Sequence, residues 1–243
     1  MSGRGLAGVC LDFPAPLMAG RLRRRYKRFL AEVELEDGQR VTAHCPNSGS
    51  MLGCLEEGAP VMLSRAANPA RRTPYTWEMI HINGGWVGIN TLLPNRLVAL
   101  AAQRRALGLF RGAAQVRREV PVGAHTRLDL LVQRPAGPLY LEVKNVTLVQ
   151  EGVARFPDAV TARGAKHLET LMALTAQGAD TAMAYLVQRG DAGSFAPASD
   201  IDPCYAELWR RAKAAGVAMV VLAAAVSPQR VCLWRRLPLL RGW

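Results

Sequence analysis

Half of the 243 residues are apolar, enough for a sizeable core in one large domain or two modest ones. The longest apolar run, Val217 to Val226, is too short to cross a bilayer, and no signal-peptide apolar region precedes Asp12 and Pro14, so a cytoplasmic protein with no membrane partner is expected. A formal charge of +12 points to a polyanionic partner, of which nucleic acid is the obvious class, and five scattered cysteines argue against a disulfide framework or a zinc ribbon.

After an irregular start through Pro14 and Pro16, six basic residues (Arg21, Arg23, Arg24, Arg25, Lys27 and Arg28) crowd a stretch without an acid and read as a phosphate-facing surface. The segments Tyr26 to Leu35 and Val41 to Cys45 read as a hairpin turning at Glu36-Asp37-Gly38-Gln39. His44, Cys45 and Cys54 imitate a soft-metal site, but a half-buried strand accounts for them better. Further short strands are predicted at Val61 to Ser64, at Trp77 to Ile82 and at Trp86 to Asn90, the last two joined by Asn83-Gly84-Gly85. Five short strands suggest a small β-barrel over residues 1–90, and an oligonucleotide-binding barrel is one such fold. It would bring Arg25, Tyr26, Lys27 and Phe29 to backbone and bases, although such aromatics also serve as packing residues.

From Pro94 the pattern becomes α/β, with a helix to about Leu107 that carries Arg104 and Arg105. Arg111, Arg117 and Arg118 extend a second acid-free basic stretch, either phosphate-facing or ordinary solvated surface. Arg127 to Val132 and Leu139 to Lys144, bridged by the turn formers Gln133 to Pro138, read as an antiparallel hairpin. Pairing Val132 with Leu139 sets Asp129 across from Glu142, with Cβ atoms about 4.5–5.5 Å apart, and puts Lys144 on the same face. Two opposed carboxylates need a cation or a shared proton, and Mg²⁺ suits oxygen ligands with sites left to water and phosphate. Lysine occurs only at positions 27, 144, 166 and 213 in this arginine-rich chain, so Lys144 stands out as a group whose pKa can shift. Alone, Glu142 and Lys144 would be a surface pair; with Asp129 they read as a metal-dependent nuclease core.

Thr161 can cap a helix running to about Gln177, with Leu168, Leu171, Met172 and Thr175 facing the core. Lys166 and His167 on it are a surface lysine and a core-edge histidine, or contacts to the scissile phosphate. A strand at Ala182 to Val187, a helix at Pro203 to Ala215, a buried strand at Val217 to Val226 and a basic tail complete the chain.

Several blocks together resemble the sugar fermentation stimulation protein family (SfsA): Arg25-Tyr26-Lys27-Arg28-Phe29-Leu30, His44-Cys45-Pro46-Asn47-Ser48-Gly49, Thr76-Trp77-Glu78, Asn90-Thr91-Leu92 with Asn95-Arg96-Leu97, Glu142 to Leu148, and Phe156 to Thr161 continuing to Lys166-His167-Leu168. The resemblance implies an α/β (α+β) protein: an N-terminal OB-fold-like β-barrel with an N-terminal extension over 1–90, then a PD-(D/E)xK nuclease-like mixed-sheet α/β domain over 91–243, with nonspecific DNA binding. The superfamily pattern carries to Asp129 and Glu142 as metal ligands and to Lys144 as catalytic lysine. Leu128 stands where that pattern writes proline. Glu119 is a third acid near the pocket or the partner of Arg117 or Arg118. The resulting expectation is a Mg²⁺- or Mn²⁺-dependent phosphodiesterase. Asp129, Glu142 and the Val143 carbonyl hold the metal, Lys144 acts on water, and Lys166 or His167 assists. Arg23, Arg24, Arg25, Tyr26, Lys27, Arg28 and Asn47 are expected to bind single- or double-stranded DNA, with RNA as the alternative substrate. The rival is a noncatalytic DNA-binding regulator of sugar (maltose) utilisation genes.

Overall fold

The computed structural model describes residues 6, 8–68, 70–123 and 126–243. It opens with a short strand, β1 (Cys10–Asp12), followed by β2 (Met18–Tyr26), β3 (Leu30–Leu35), β4 (Arg40–His44), β5 (Pro60–Arg65), β6 (Tyr75–Ile82) and β7 (Gly85–Gly88). The last six pair in the order β4-β3-β2-β5-β6-β7, and β4 also meets β6, so five strands close into the expected oligonucleotide-binding-like barrel with β7 appended. Strand β3 shows why: Ala31, Val33 and Leu35 point into the core while Glu32 and Glu34 face out. Gly20 lets β2 approach closely, because a Cβ there would lie 2.6 Å from Val33 Cγ1 and 2.8 Å from the Glu34 carbonyl oxygen.

The sequence expectation needs correction here. Tyr26 to Leu35 is not one strand, since Lys27, Arg28 and Phe29 form a tight turn between β2 and β3. The basic run before it is itself a strand, in which the arginine stems hid the alternation of buried Gly20 and Leu22.

The second unit begins with α1 (Leu93–Gln103) and continues through β8 (Gln115–Val122), β9 (Thr126–Gln133), β10 (Leu139–Val146), β11 (Leu148–Gln150), β12 (Val153–Phe156), α2 (Ala162–Ala176), β13 (Asp180–Val187), β14 (Ser194–Pro197), α3 (Pro203–Ala214), β15 (Ala218–Val226) and β16 (Arg230–Arg236). A mixed sheet of seven strands runs β1-β16-β15-β13-β10-β9-β8, with β10, β13 and β15 parallel. Leu97 and Ala101 of α1 pack on one face against Leu130, Leu141 and Val143. Leu168 and Leu171 of α2 and Trp209 of α3 cover the other, against Tyr185 and Val221. No helix among the described residues is long and apolar enough to cross a membrane.

Four further expectations give way. Arg104 and Arg105 lie past the helix, which closes with Arg105 N–H donating to Ala102 and Ala106 N–H to Ala101 while Arg105 takes a left-handed φ of 53°. The basic tail contains β16, whose Val231 and Leu233 are buried between outward-facing neighbours. Cys10 and Cys232 form a disulfide across the β1–β16 pair, so the scattered cysteines do hold one cross-link. Finally, the start of the chain is not irregular throughout, since β1 pairs with β16 in the second unit's sheet.

Buried polar groups fix the two units together. The Gln188 amide donates to the carbonyls of Gly88 and Asn90 and to Asn145 Oδ1, while Gly88 N–H returns a bond of 2.8 Å to the Gln188 carbonyl. Arg189, held by Asp191, donates to the Thr147 carbonyl at 2.7 Å and touches Cys54 of the barrel.

Candidate active site

Strands β9 and β10 pair as the sequence predicts, Val132 with Leu139 and Leu130 with Leu141, and there the ladder stops. At the next position Asp129 Oδ2 accepts the Val143 N–H at 2.7 Å, and Oδ1 accepts from Asn95 Nδ2 of α1 at 2.6 Å. The ladder on the other side of β9 also skips Asp129, because Arg118 pairs with Leu130 and Val120 with Leu128. The skipped residue of β8 is Glu119, a non-glycine with φ of 52° in mid-strand.

Glu142 and Lys144 project from β10 toward α2. Thr161 caps that helix, its Oγ1 accepting from Gly164 N–H at 3.1 Å. Gly164 is required there, since a Cβ would fall 2.8 Å from the Thr161 side chain and 3.1 Å from Tyr205. One turn on, buried His167 reaches Glu142. Glu142 Oε1 accepts from Lys144 Nζ at 2.7 Å and also from His167 Nδ1, whose 3.0 Å approach to Lys144 follows from sharing this acceptor. Glu142 Oε2 is buried with no hydrogen-bond partner among the described residues.

Burial and the adjacent Glu142 charge push the Asp129 carboxyl up to about 7, against the opposing Val143 N–H and Lys144. For Glu142 burial acts in the same direction, but His167 and Lys144 outweigh it and hold the group below the ordinary carboxylate range. The two acids thus differ in protonation at neutral pH, and the pair carries less than its full repulsion.

This constellation opens into a cleft of about 430 Å³ between the two units. The β4–β5 loop supplies Asn47, Ser48 and Gly49, the β2–β3 turn Arg28, β12 Arg155, and the segment between β12 and α2 Asp158 and Val160. Asp158 clamps the loop, accepting from Met51 N–H at 2.9 Å and Ser50 Oγ at 3.1 Å. Arg25 holds it from the other side, donating to the carbonyls of Asn47 and Gly49 at 2.9 Å each.

The residues expected to bind nucleic acid therefore divide. Arg28 and Asn47 line the cleft; Arg25 braces its wall. Arg23 and Arg24 lie on the barrel surface, ion-paired with Glu34 and Glu32. Tyr26 packs beside Arg24 and Thr42, and Lys27 occupies the turn with φ of 47°. Glu119 is exposed and outside the cleft lining, yet its charge reaches Asp129, and neither Arg117 nor Arg118 pairs with it among the described residues. Lys166 lines a neighbouring groove with Arg127, Arg163 and His167. Asn95, Asp158 and Arg163 are site residues that the sequence does not mark as such. Asn95 and Asp158 fell inside the family blocks, but nothing in their spacing tied them to Asp129 or to the barrel loop.

A family model described as the sugar fermentation stimulation protein RE domain matches residues 92–230, and one described as the SfsA N-terminal OB domain matches residues 24–89. The chain belongs to the sugar fermentation stimulation protein family. It is 53% identical over 225 residues to a sugar fermentation stimulation protein homolog of Pelobacter propionicus, covering 93% of this chain and 98% of that one. The Geobacter sulfurreducens homolog is 51% identical over 229 residues, covering 94% and 98%. Among solved structures, that of Pyrococcus furiosus SfsA in complex with Ca²⁺ superposes with a TM-score of 0.88 over 95% of this chain and 98% of that one, at 23% identity, which establishes a shared fold.

Proposed function

We propose that this SfsA-family protein binds nucleic acid nonspecifically and hydrolyses its phosphodiester bonds at the Asp129–Glu142 site with a divalent cation. The observation that carries the reading is Glu142 Oε2, a buried carboxylate oxygen without a partner among the described residues, set beside the half-buried Asp129 carboxylate in a cleft that also holds Arg28 and Lys144. Among the described residues no group of three or more His, Cys, Asp or Glu side chains is arranged for a metal. Two carboxylates and the Val143 carbonyl fit a hard cation that keeps several waters, Mg²⁺ or Mn²⁺, better than zinc. The Ca²⁺ complex of the Pyrococcus furiosus relative supports an oxygen-ligand cation in this fold. When bound, the cation supplies a Lewis acid and lowers the pKa of its water.

The chain's own residues do the rest. Asn95 and the Val143 N–H fix the Asp129 carboxylate, so its orientation costs no reorganisation. His167 fixes Glu142, and Lys144, anchored on Glu142, stabilises charge developing on the phosphate. Water oxygen bonds to phosphorus as the ester P–O bond breaks, and the proton lost by water ends on the leaving ester oxygen. Basic groups at the rim attract the backbone from solution.

The test is cleavage of end-labelled DNA and RNA with Mg²⁺, Mn²⁺ or chelator, beside folded Asp129→Asn and Glu142→Gln proteins. Metal-dependent cleavage lost in both variants is expected. Undiminished cleavage by either variant removes the site from the reaction, and tight binding without any wild-type cleavage gives the protein to the rival role of DNA-binding regulator.

A further inference from the structure

The cleft has a rim that its catalytic floor does not explain. Val160, 77% exposed, is part of the cleft lining itself; Leu92, 66% exposed, follows Thr91 of the lining; Phe29, 48% exposed, follows Arg28 of the lining. They come from three separate segments, the β2–β3 turn and the stretches before α1 and α2. Hydrogen bonds tie all three segments to the chain between β4 and β5: Cys45 N–H donates to the Phe29 carbonyl at 2.7 Å, Arg28 to the Ser48 carbonyl at 2.9 Å, Thr91 Oγ1 to the Pro46 carbonyl at 2.9 Å, and Met51 N–H to Asp158 Oδ2 at 2.9 Å.

Phe29 is held out at a conformational cost. Lys27 and Arg28 before it both lie in the left-handed region, with φ of 47° and 61°. Non-glycine residues adopt it only where the surroundings impose it, and paired left-handed positions in a hairpin ordinarily go to Asn-Gly or Gly-Gly. Arg25 Nε, donating to the Arg28 carbonyl at 3.0 Å, locks the tip. A strained turn that exposes a phenylalanine next to a cleft-lining arginine calls for a ligand with an apolar face.

We infer that Phe29, Leu92 and Val160 receive unpaired bases, so that the substrate class of this cleft is single-stranded polynucleotide in preference to duplex. The inference rests on the nucleic-acid reading above and narrows it. A duplex keeps its base faces stacked inside and presents phosphates and sugars, against which these side chains would sit without a partner. An unpaired strand offers both surfaces at once, phosphates for Arg28 and Arg163 in the lining and π faces for the rim. Base stacking on an aromatic tolerates any sequence, in keeping with nonspecific binding.

The experiment is fluorescence anisotropy of a labelled oligonucleotide of about 15 nucleotides, as DNA and as RNA, single-stranded or annealed to its complement, in Ca²⁺ and in chelator. Wild type binds the single strand at least about tenfold more tightly than the duplex. Phe29→Ala with Val160→Ala weakens single-strand binding about tenfold and leaves duplex binding unchanged, while Phe29→Trp, which keeps a stacking face, retains it. The DNA and RNA arms identify which polymer is taken. Equal or tighter duplex binding, or parallel losses on both forms, overturns the inference while metal-dependent cleavage of duplex leaves the nuclease reading standing. Binding to neither polymer overturns both. Altered self-association in sedimentation, with nucleic-acid binding untouched, makes the rim a protein contact and overturns the inference.

Discussion

The Val143 N–H donates to Asp129 Oδ2 at 2.7 Å at the position where the β9–β10 ladder ends, so a side chain has taken over a bond that the backbone would otherwise make. The carboxylate is thereby tied to the main chain of the strand that carries Glu142 and Lys144. Asp129 shifts with that strand or not at all.

One consequence is a pH-dependent penalty. The Asp129 carboxyl, pushed up to about 7 from an ordinary 3.8, favours the protonated form in the folded protein. A raised folded pKa contributes stability that is complete below the unfolded value and is lost as pH rises through about 7. In chelator, Asp129→Asn should therefore melt higher than wild type at pH well above 7, by the equivalent of at most about 4 kcal/mol, and show no advantage near pH 4. Melting curves across that range check it; identical pH profiles for the two proteins would remove the buried-charge account.

The same group should govern metal affinity. Cation binding needs Asp129 ionised, so Mn²⁺ affinity measured by calorimetry should fall as pH drops below about 7, with protons released on binding. Glu142→Gln should abolish the high-affinity component at every pH. A pH-independent affinity would place the cation elsewhere.

The paired arginines and the unpaired one should separate by salt. Arg163 lines the cleft and has no ion-pair partner among the described residues, whereas Arg23 and Arg24 are paired with Glu34 and Glu32. Arg163→Ala should lower the slope of log affinity against log salt by about 1. Arg23→Ala should change it by less, because removing Arg23 also uncovers the Glu34 charge.

Gly88→Ala probes the junction between the units. A Cβ there would lie 2.6 Å from Gln188 Oε1 and 3.1 Å from its Cβ, and the Gln188 amide is already committed to three acceptors. Overpacking of this kind costs about 1–3 kcal/mol. Denaturant unfolding should show that loss, together with weaker cleavage as the barrel loop leaves the Asp129–Glu142 cleft; a neutral effect on both would mean that Gln188 moves aside freely.

The hairpin of β9 and β10 was readable from sequence because alternation and turn formers fix its register, and with it the Asp129–Glu142 relationship. Thr161 was readable as a cap for the same reason: the signal is local. Strand β2 was not, since outward arginines masked its alternation, and β1 was not, since its partner β16 lies at the other end of the chain. Asn95 and Asp158 act through contacts that span 34 and 107 residues, distances over which no local pattern carries. The left-handed Lys27 and Arg28 likewise left no trace, because neither residue type announces that conformation.

The β1–β16 pairing gives the molecule an unexpected seam. Because β1 precedes the barrel yet completes the sheet that follows it, the barrel occupies the position of a long insertion between an edge strand and the rest of its sheet. Cutting the chain once near residue 90 would therefore yield no self-sufficient second domain: the C-terminal piece would keep β16 with a bare edge, open to pairing with other chains. The barrel can be excised only as a loop is, by rejoining Asp12 to the start of α1 and leaving the flanking strand in place.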